Sequence, residues 1–350
     1  RADAHQGEYV AARDERLTWL TGFTGSAGFA AVLAEQAGLF VDGRYTLQAA
    51  AQVDTEVITP LPWPKTELGG WLAEALPQGG KVGFDPWLHS AQQIDKLRES
   101  GAAAGLTYVP VENLVDAVWD DQPAPPMVPV WVHPAEIAGE DHGAKRARLA
   151  EGLRTDGISA AVLTLPDSVA WLLNLRGGDI ARTPVPHGFA ILHEDGRVQL
   201  FLAAEKVSPE VRAHLGNDVT VAPPGDLIPA LERLEGPVRI EAGSLPVALR
   251  DVLAEPVAGA EPVKGAKARK NDRELAGMVA AHRRDAVAVA RFLHWLDGAA
   301  PSGGLTEIDV VRQLEAMRAE APELRDIAFE TIAGSGPNGA IVHYRVTEET

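Results

Sequence analysis

Apolar positions along the chain fall into two rhythms, and their order predicts the architecture. Short runs of strand length come in pairs: Gly28-Phe29-Ala30-Ala31-Val32-Leu33 precedes Leu39-Phe40-Val41, and Gly188-Phe189-Ala190-Ile191-Leu192 precedes Val198-Gln199-Leu200-Phe201. Each pair follows a Trp-bearing segment, Trp19-Leu20-Thr21-Gly22-Phe23 in one case and Trp171-Leu172-Leu173-Asn174-Leu175 in the other. The same order occurring twice predicts an internal repeat. Strand patterns at 81–84 and 158–163 alternate with helical ones at 90–100 and 143–154. The first of those helices carries a Ser90/Gln93 capping box and is read as stopping at Gly101. Alternating strands and helices predict an α/β domain present twice.

The longer rhythm begins at Asn271. With Glu274 three residues on, Asn271 predicts a helix N-terminus, and Leu275, Val279, His282, Ala286, Val289, Leu293 and Leu296 then follow at spacings of four and three. That is one face of a helix of about seven turns, closed by Gly298. His282 lies on this line and reads as a core histidine rather than a metal ligand. Thr306 and Asp309 open a second helix. After it, 327–332 and 339–344 are read as two strands around a Gly-rich turn. So long an apolar face has little within this part of the chain to pack against.

Composition narrows the class. The 350 residues are 46% hydrophobic, ample for folded cores, and their length suits two or three domains. No run approaches the roughly 20 apolar residues of a membrane helix, and no basic-then-apolar leader stands at Arg1, so a soluble, cytoplasmic protein is expected. With no Cys there is neither disulfide nor thiolate chemistry. The formal charge is −17, and the first 263 residues hold 20 basic against 36 acidic side chains, a net −16. Such a surface repels nucleic acid and anionic lipid and leaves basic proteins as possible partners. The proline-rich run from Asp120 to Pro126 and the basic run from Glu261 to Lys270 divide the chain into 1–126, 127–264 and 265–350.

The chemistry-bearing candidates are few. Gly334-Ser335-Gly336-Pro337-Asn338-Gly339 has dinucleotide-loop spacing, but a strand pattern rather than a helix follows, which excludes that role. No Walker loop, HExxH helix or GxSxG elbow occurs. His343 follows the Gly-rich turn at the end of a predicted strand, a place where sites are built. Arg44, in Asp42-Gly43-Arg44-Tyr45, sits at a helix start, where a cation opposes the dipole and wants an anionic partner. Asp42 or a bound carboxylate would serve.

These residues resemble a family. Gly22-Phe23-Thr24-Gly25-Ser26-Ala27-Gly28, Val41-Asp42-Gly43-Arg44-Tyr45, Ser168 to Asp179, Lys267-Ala268-Arg269-Lys270-Asn271 and Gly336 to Tyr344 together resemble the three-domain cytosolic type of Xaa-Pro aminopeptidase. The resemblance implies two creatinase-type α/β domains followed by the start of a pita-bread α+β metallopeptidase domain. It implies hydrolysis of the N-terminal residue from peptides with proline second, by a hydroxide bridging two divalent metal ions, usually manganese. It implies a cytoplasmic homodimer acting on peptides, not on nucleic acid or membranes. The metal ligands are expected beyond Thr350, so no metal site is assigned to this segment, which alone should be inactive. His343 is implied as a catalytic and substrate-binding residue beside the metals, and Arg44 as a substrate-binding residue. The alternative reading is a non-catalytic pita-bread protein that binds peptides or histones. Prolidase or creatinase is a third, disfavoured by the length ahead of His343.

Overall fold

The computed structural model describes residues 2–348. Helix α1 (Arg16–Thr21) leads into strands β1 (Phe29–Val32) and β2 (Ala37–Val41), then α2 (Thr46–Gln52), β3 (Ile58–Pro62) and α3 (Leu68–Ala75). Strand β4 (Gly80–Phe84), α4 (Ala91–Ala102) and β5 (Leu106–Pro110) complete the first unit. The second unit opens with β6 (Trp131–Val132), α5 (Ala135–Ala138), α6 (His142–Thr155), β7 (Ala160–Leu163), α7 (Pro166–Leu173) and β8 (Leu175–Arg176). It continues through β9 (Phe189–His193), β10 (Val198–Phe201), α8 (Pro209–Leu215), β11 (Val219–Ala222) and α9 (Leu227–Glu232). Its last elements are β12 (Val238–Ile240), α10 (Val247–Arg250), β13 (Pro256–Ala258) and α11 (Pro262–Ala268). Two helices, α12 (Asp272–Ala299) and α13 (Glu307–Ala319), follow.

The two units repeat one plan. An antiparallel β1–β2 pair with β3 parallel to β2 matches the antiparallel β9–β10 pair with β11 parallel to β10. The parallel β4–β5 pair, spanned by α4, matches the parallel β12–β13 pair, spanned by α10. In the second unit β7 pairs with both β9 and β12 and joins everything into one six-stranded sheet, whereas the first remains a three-stranded and a two-stranded sheet. The equivalence reaches single atoms. A Cβ on Gly28 would stand 3.1 Å from the Phe40 carbonyl oxygen, and one on Gly188 would stand 3.1 Å from that of Phe201. Each glycine thus admits the opposing strand at the same point of the hairpin.

Buried apolar side chains form cores that the two units partly share: Val247 of α10 packs with Phe84, Ile94 and Tyr108, and α4 lies at this junction. Ser90 caps α4 with the predicted box, while Ala91 and Gln92 N–H groups donate to the Leu245 and Ala242 carbonyls. Gly101 does not end this helix, which runs on to Ala102. A Cβ there would meet Tyr108 at 2.9 Å and Leu106 at 3.1 Å, so its smallness serves packing against β5. Val263, wholly buried, seats α11 in the core of the second unit.

The third part departs most from expectation. Helix α12 has the predicted Asn271/Glu274 box but continues past Gly298 to Ala299. At its base the Asn271 amide donates to the Ala138 carbonyl at 2.8 Å, and the Trp171 indole N–H donates to Glu274 at 3.4 Å. His282 is exposed rather than in a core, with Nδ1 2.8 Å from the Met278 carbonyl oxygen of its own helix. Leu275, Val279 and Leu293 are each about half exposed, because among the described residues α5 and α13 are the main elements packed along α12 and leave much of its apolar face uncovered. Neither 327–332 nor 339–344 forms a strand: no neighbouring backbone among the described residues takes up their N–H and C=O groups as a ladder. A 3₁₀ turn over Gly336–Ala340 takes in the first two residues of the second segment instead. Among the described residues no helix is long and apolar enough to cross a membrane.

Candidate functional site

The first wall of the site is the turn after β2. All five residues of β2 are buried, so the strand delivers its C-terminal end rigidly to Asp42. Asp42 Oδ1 accepts the Arg44 backbone N–H at 2.9 Å, and the Asp42 carbonyl accepts the Tyr45 N–H at 3.0 Å, which closes the turn. The same carboxylate takes the Arg44 guanidinium, Nε to Oδ1 at 3.0 Å and Nη2 to Oδ2 at 2.6 Å. These bonds hold the Asp42 carboxyl below the usual carboxylate range and push the guanidinium further up. The partner required by an arginine at a helix start is therefore Asp42, with α2 beginning two residues later.

The second wall is the segment 22–28, folded onto Tyr45. Tyr45 is buried, its hydroxyl lies 2.6 Å from Ser26 Oγ, and its ring stands edge-on to Phe23. A Cβ on Gly25 would collide with Phe23 at 2.2 Å, so only glycine lets this loop close over the ring. The Arg44 guanidinium carbon lies 5.1 Å from the Tyr45 ring centroid, a cation–π contact that fixes its remaining freedom.

The third wall comes from the far end of the chain. Arg44 Nη1 stands 3.5 Å from His343 Nε2, and the His343 ring centroid is 5.9 Å from that of Tyr45. The two side chains singled out from the sequence are thus brought together across 299 positions. His343 reaches this place from a left-handed backbone, φ +53°. What shapes its loop is Glu307, in the first turn of α13: its carboxylate accepts the Ser335 N–H at 2.5 Å, the Asn338 amide at 3.1 Å and the Tyr344 hydroxyl at 2.5 Å. The Asn338 amide also donates to the Tyr344 hydroxyl at 2.9 Å. Sequence reading missed this three-way clamp. The only local signal was the Thr306/Asp309 box, which marks the helix but not the residue between.

The arrangement offers a guanidinium anchored on one edge by Asp42, with its Nη1 facing an imidazole. Both can hydrogen-bond peptide carbonyl or carboxylate oxygens. It does not supply a two-cation centre. Asp42 is spent on Arg44 and Glu307 on the loop, and among the described residues the one trio of His and acidic side chains with metal-holding spacing, Asp3, Asp14 and His187, offers too few donors for two ions.

Known proteins resemble this chain along its whole length. Residues 8–118 and 121–274 each match the Creatinase/Prolidase N-terminal domain, and residues 276–350 match Metallopeptidase family M24. Over 99% of this chain, aminopeptidase P2 of Arabidopsis thaliana is 34% identical, and 55% of its length is covered. A probable Xaa-Pro aminopeptidase P of Aspergillus flavus is 36% identical over 98% of this chain and 55% of its own. An X-prolyl aminopeptidase from Caenorhabditis elegans, described as a cytosolic enzyme with a di-nuclear active site, superposes with a TM-score of 0.94 at 32% identity. That alignment covers 99% of this chain and 59% of the other. The chain thus spans a little over half the length of the relatives it matches.

Proposed function

We propose that this chain, which belongs to the creatinase/prolidase and M24 metallopeptidase family, is the peptide-presenting front of a metal-dependent Xaa-Pro aminopeptidase. Organised as 1–126, 127–264 and 265–350, it would act in the longer protein on peptides with proline second, in the cytoplasm and as a homodimer. The observation that carries this reading is the meeting of Arg44 and His343 in a chain that aligns with such enzymes over nearly all its length. Two divalent ions, manganese foremost, would be held by donors outside the described residues.

What the residues here would do follows from their chemistry. An Xaa-Pro bond has no N–H, so recognition must rest on carbonyl oxygens and on the ring. His343 would donate to the carbonyl oxygen flanking the scissile bond, a contact worth about 2.7–4 kcal/mol when aimed at developing negative charge. Arg44, pre-aligned by Asp42, would grip oxygens further along the peptide. The test is turnover of Xaa-Pro-Pro peptides by the full-length protein with added divalent metal. His343→Ala should lower kcat by about 100-fold or more, and Arg44→Ala should raise KM, more for longer peptides. Unchanged kcat in the first variant, or KM values independent of peptide length in the second, removes that residue from the mechanism. The strongly acidic first 263 residues favour a second reading, a non-catalytic protein that binds basic peptides or histones. Metal-independent peptide binding without turnover would select it.

A further inference from the structure

Away from Arg44 and His343, the N-terminal segment meets the second unit around a buried polar knot. Asp3 is 2% exposed. Its Oδ1 accepts the backbone N–H groups of His5 and Gly7 at 2.9 and 3.0 Å. Its Oδ2 is buried and has no hydrogen-bond partner among the described residues, and the same is true of His187 Nε2, which faces it at 3.6 Å. Each has only the other, beyond hydrogen-bond distance, to replace the hydration it forfeits, which is uncommon for buried polar groups. Asp14 brings a third donor, and one ligand atom from each of the three side chains lies within 4.8 Å of the others.

The surroundings hold these donors in place without satisfying them. Asp179 accepts the His187 backbone N–H at 2.6 Å and is itself paired with buried Lys206, which fixes the root of the imidazole. Arg16 donates to Asp14 at Oδ1, at 2.8 Å, and turns its other N–H groups to Asp116. His5 stacks on Phe189 and lies 4.7 Å from the His187 ring. The side chains of Asp14 and His187 remain 14% and 13% exposed, which leaves a way in from solvent.

We propose that Asp3, Asp14 and His187 bind a single divalent ion of the zinc class, which pins the N-terminal segment to the second unit. One imidazole and two carboxylates are the donor types such an ion takes, with water completing a four-coordinate shell. Bonds of about 2.0–2.1 Å require the donors to stand about 3.3 Å apart, so the Asp3–His187 pair is already close, and Asp14, within 4.8 Å of both, need approach by no more than about 1.5 Å. The two carboxylates neutralise the ion. The inference does not rest on the peptidase reading, since its residues are separate from that site.

The test is calorimetric titration of this chain with zinc chloride alone, with thermal unfolding measured beside it. One saturable zinc ion per chain and a raised Tm are expected. Asp3→Asn keeps the side chain's size and its oxygen acceptor for His5 and Gly7. It should bind zinc at least about tenfold more weakly and lose the metal-dependent rise in Tm. His187→Ala should do the same, with far-UV circular dichroism checking that it folds. Absence of saturable binding in the parent chain, or unchanged affinity in a folded Asp3→Asn variant, overturns the proposal. So does an Asp3→Asn variant that loses Tm equally with and without zinc, which would mean that Asp3 and His187 simply bond to each other. Manganese binding more tightly than zinc overturns the assignment to the zinc class.

Discussion

Replacing Lys145 by Met should change how stability depends on pH, and the size of the change follows from the burial of one ammonium group. Lys145 is 1% exposed. Its Nζ donates to the Trp171 carbonyl at 3.0 Å and to Asn174 Oδ1 at 2.8 Å, and lies 4.0 Å from the Trp171 ring centroid. It thereby serves the C-terminal end of α7, where a cation is favoured. Among the described residues no carboxylate bonds it directly, and burial lowers its pKa from 10.5 to about 8. Between those values the unfolded chain still carries a proton that the folded chain has released, so stability must rise with pH across that window. A difference of about 2.5 units corresponds to about 3 kcal/mol, absent below pH 8 and complete above pH 10.5. Met fills similar volume but leaves two acceptors unpaired, a cost of about 1–3 kcal/mol that does not vary with pH. Urea unfolding of parent and Lys145→Met chains should be followed by fluorescence from pH 7 to 10.5. The free-energy difference between them should widen in favour of the parent as pH rises, other tyrosines and lysines cancelling. Parallel profiles would refute the reasoning and show Lys145 to be solvated.

Two further perturbations probe the repeat and the loop. Gly28→Ala and Gly188→Ala each push a methyl against an opposing carbonyl at the same distance, so each should destabilise its own hairpin by about 1–2 kcal/mol in denaturant unfolding. A neutral effect at one and a large effect at the other would break the claimed equivalence. Glu307→Gln removes the charge that gathers Ser335, Asn338 and Tyr344, which should cost about 1–2 kcal/mol and speed proteolytic cleavage within 335–344. Unaltered cleavage would show that the loop holds itself.

What the sequence disclosed was whatever is decided within a few residues. The boxes at Ser90, Asn271 and Thr306 each close between a side chain and a backbone three positions away, and all three stand in the structure. The paired strands of both repeats were legible for the same reason. Gly101 misled because a glycine's local meaning, a stop, yielded to a packing demand set by Tyr108. His282 misled because the helical rhythm tells which residues share a face, not whether anything covers it. The segments 327–332 and 339–344 have strand composition, but a strand is a relation to a neighbour, and none of the described residues supplies one. Arg44 and His343 were each suspected singly. Their meeting, and the hold of Glu307 on the loop between, belong to tertiary structure and leave no trace in spacing.

Helix α12, 28 residues long, is a rod of about 42 Å, and its fastening lies at one end, where Asn271 and Glu274 grip the second unit. A lever held at the root magnifies small rotations: a tilt of about 5° there swings the tip by about 4 Å. The aim of everything mounted toward the far end is therefore set by two hydrogen bonds at the near one, together with the ties that Arg44–His343 and Arg182–Asp326 make to the other two units.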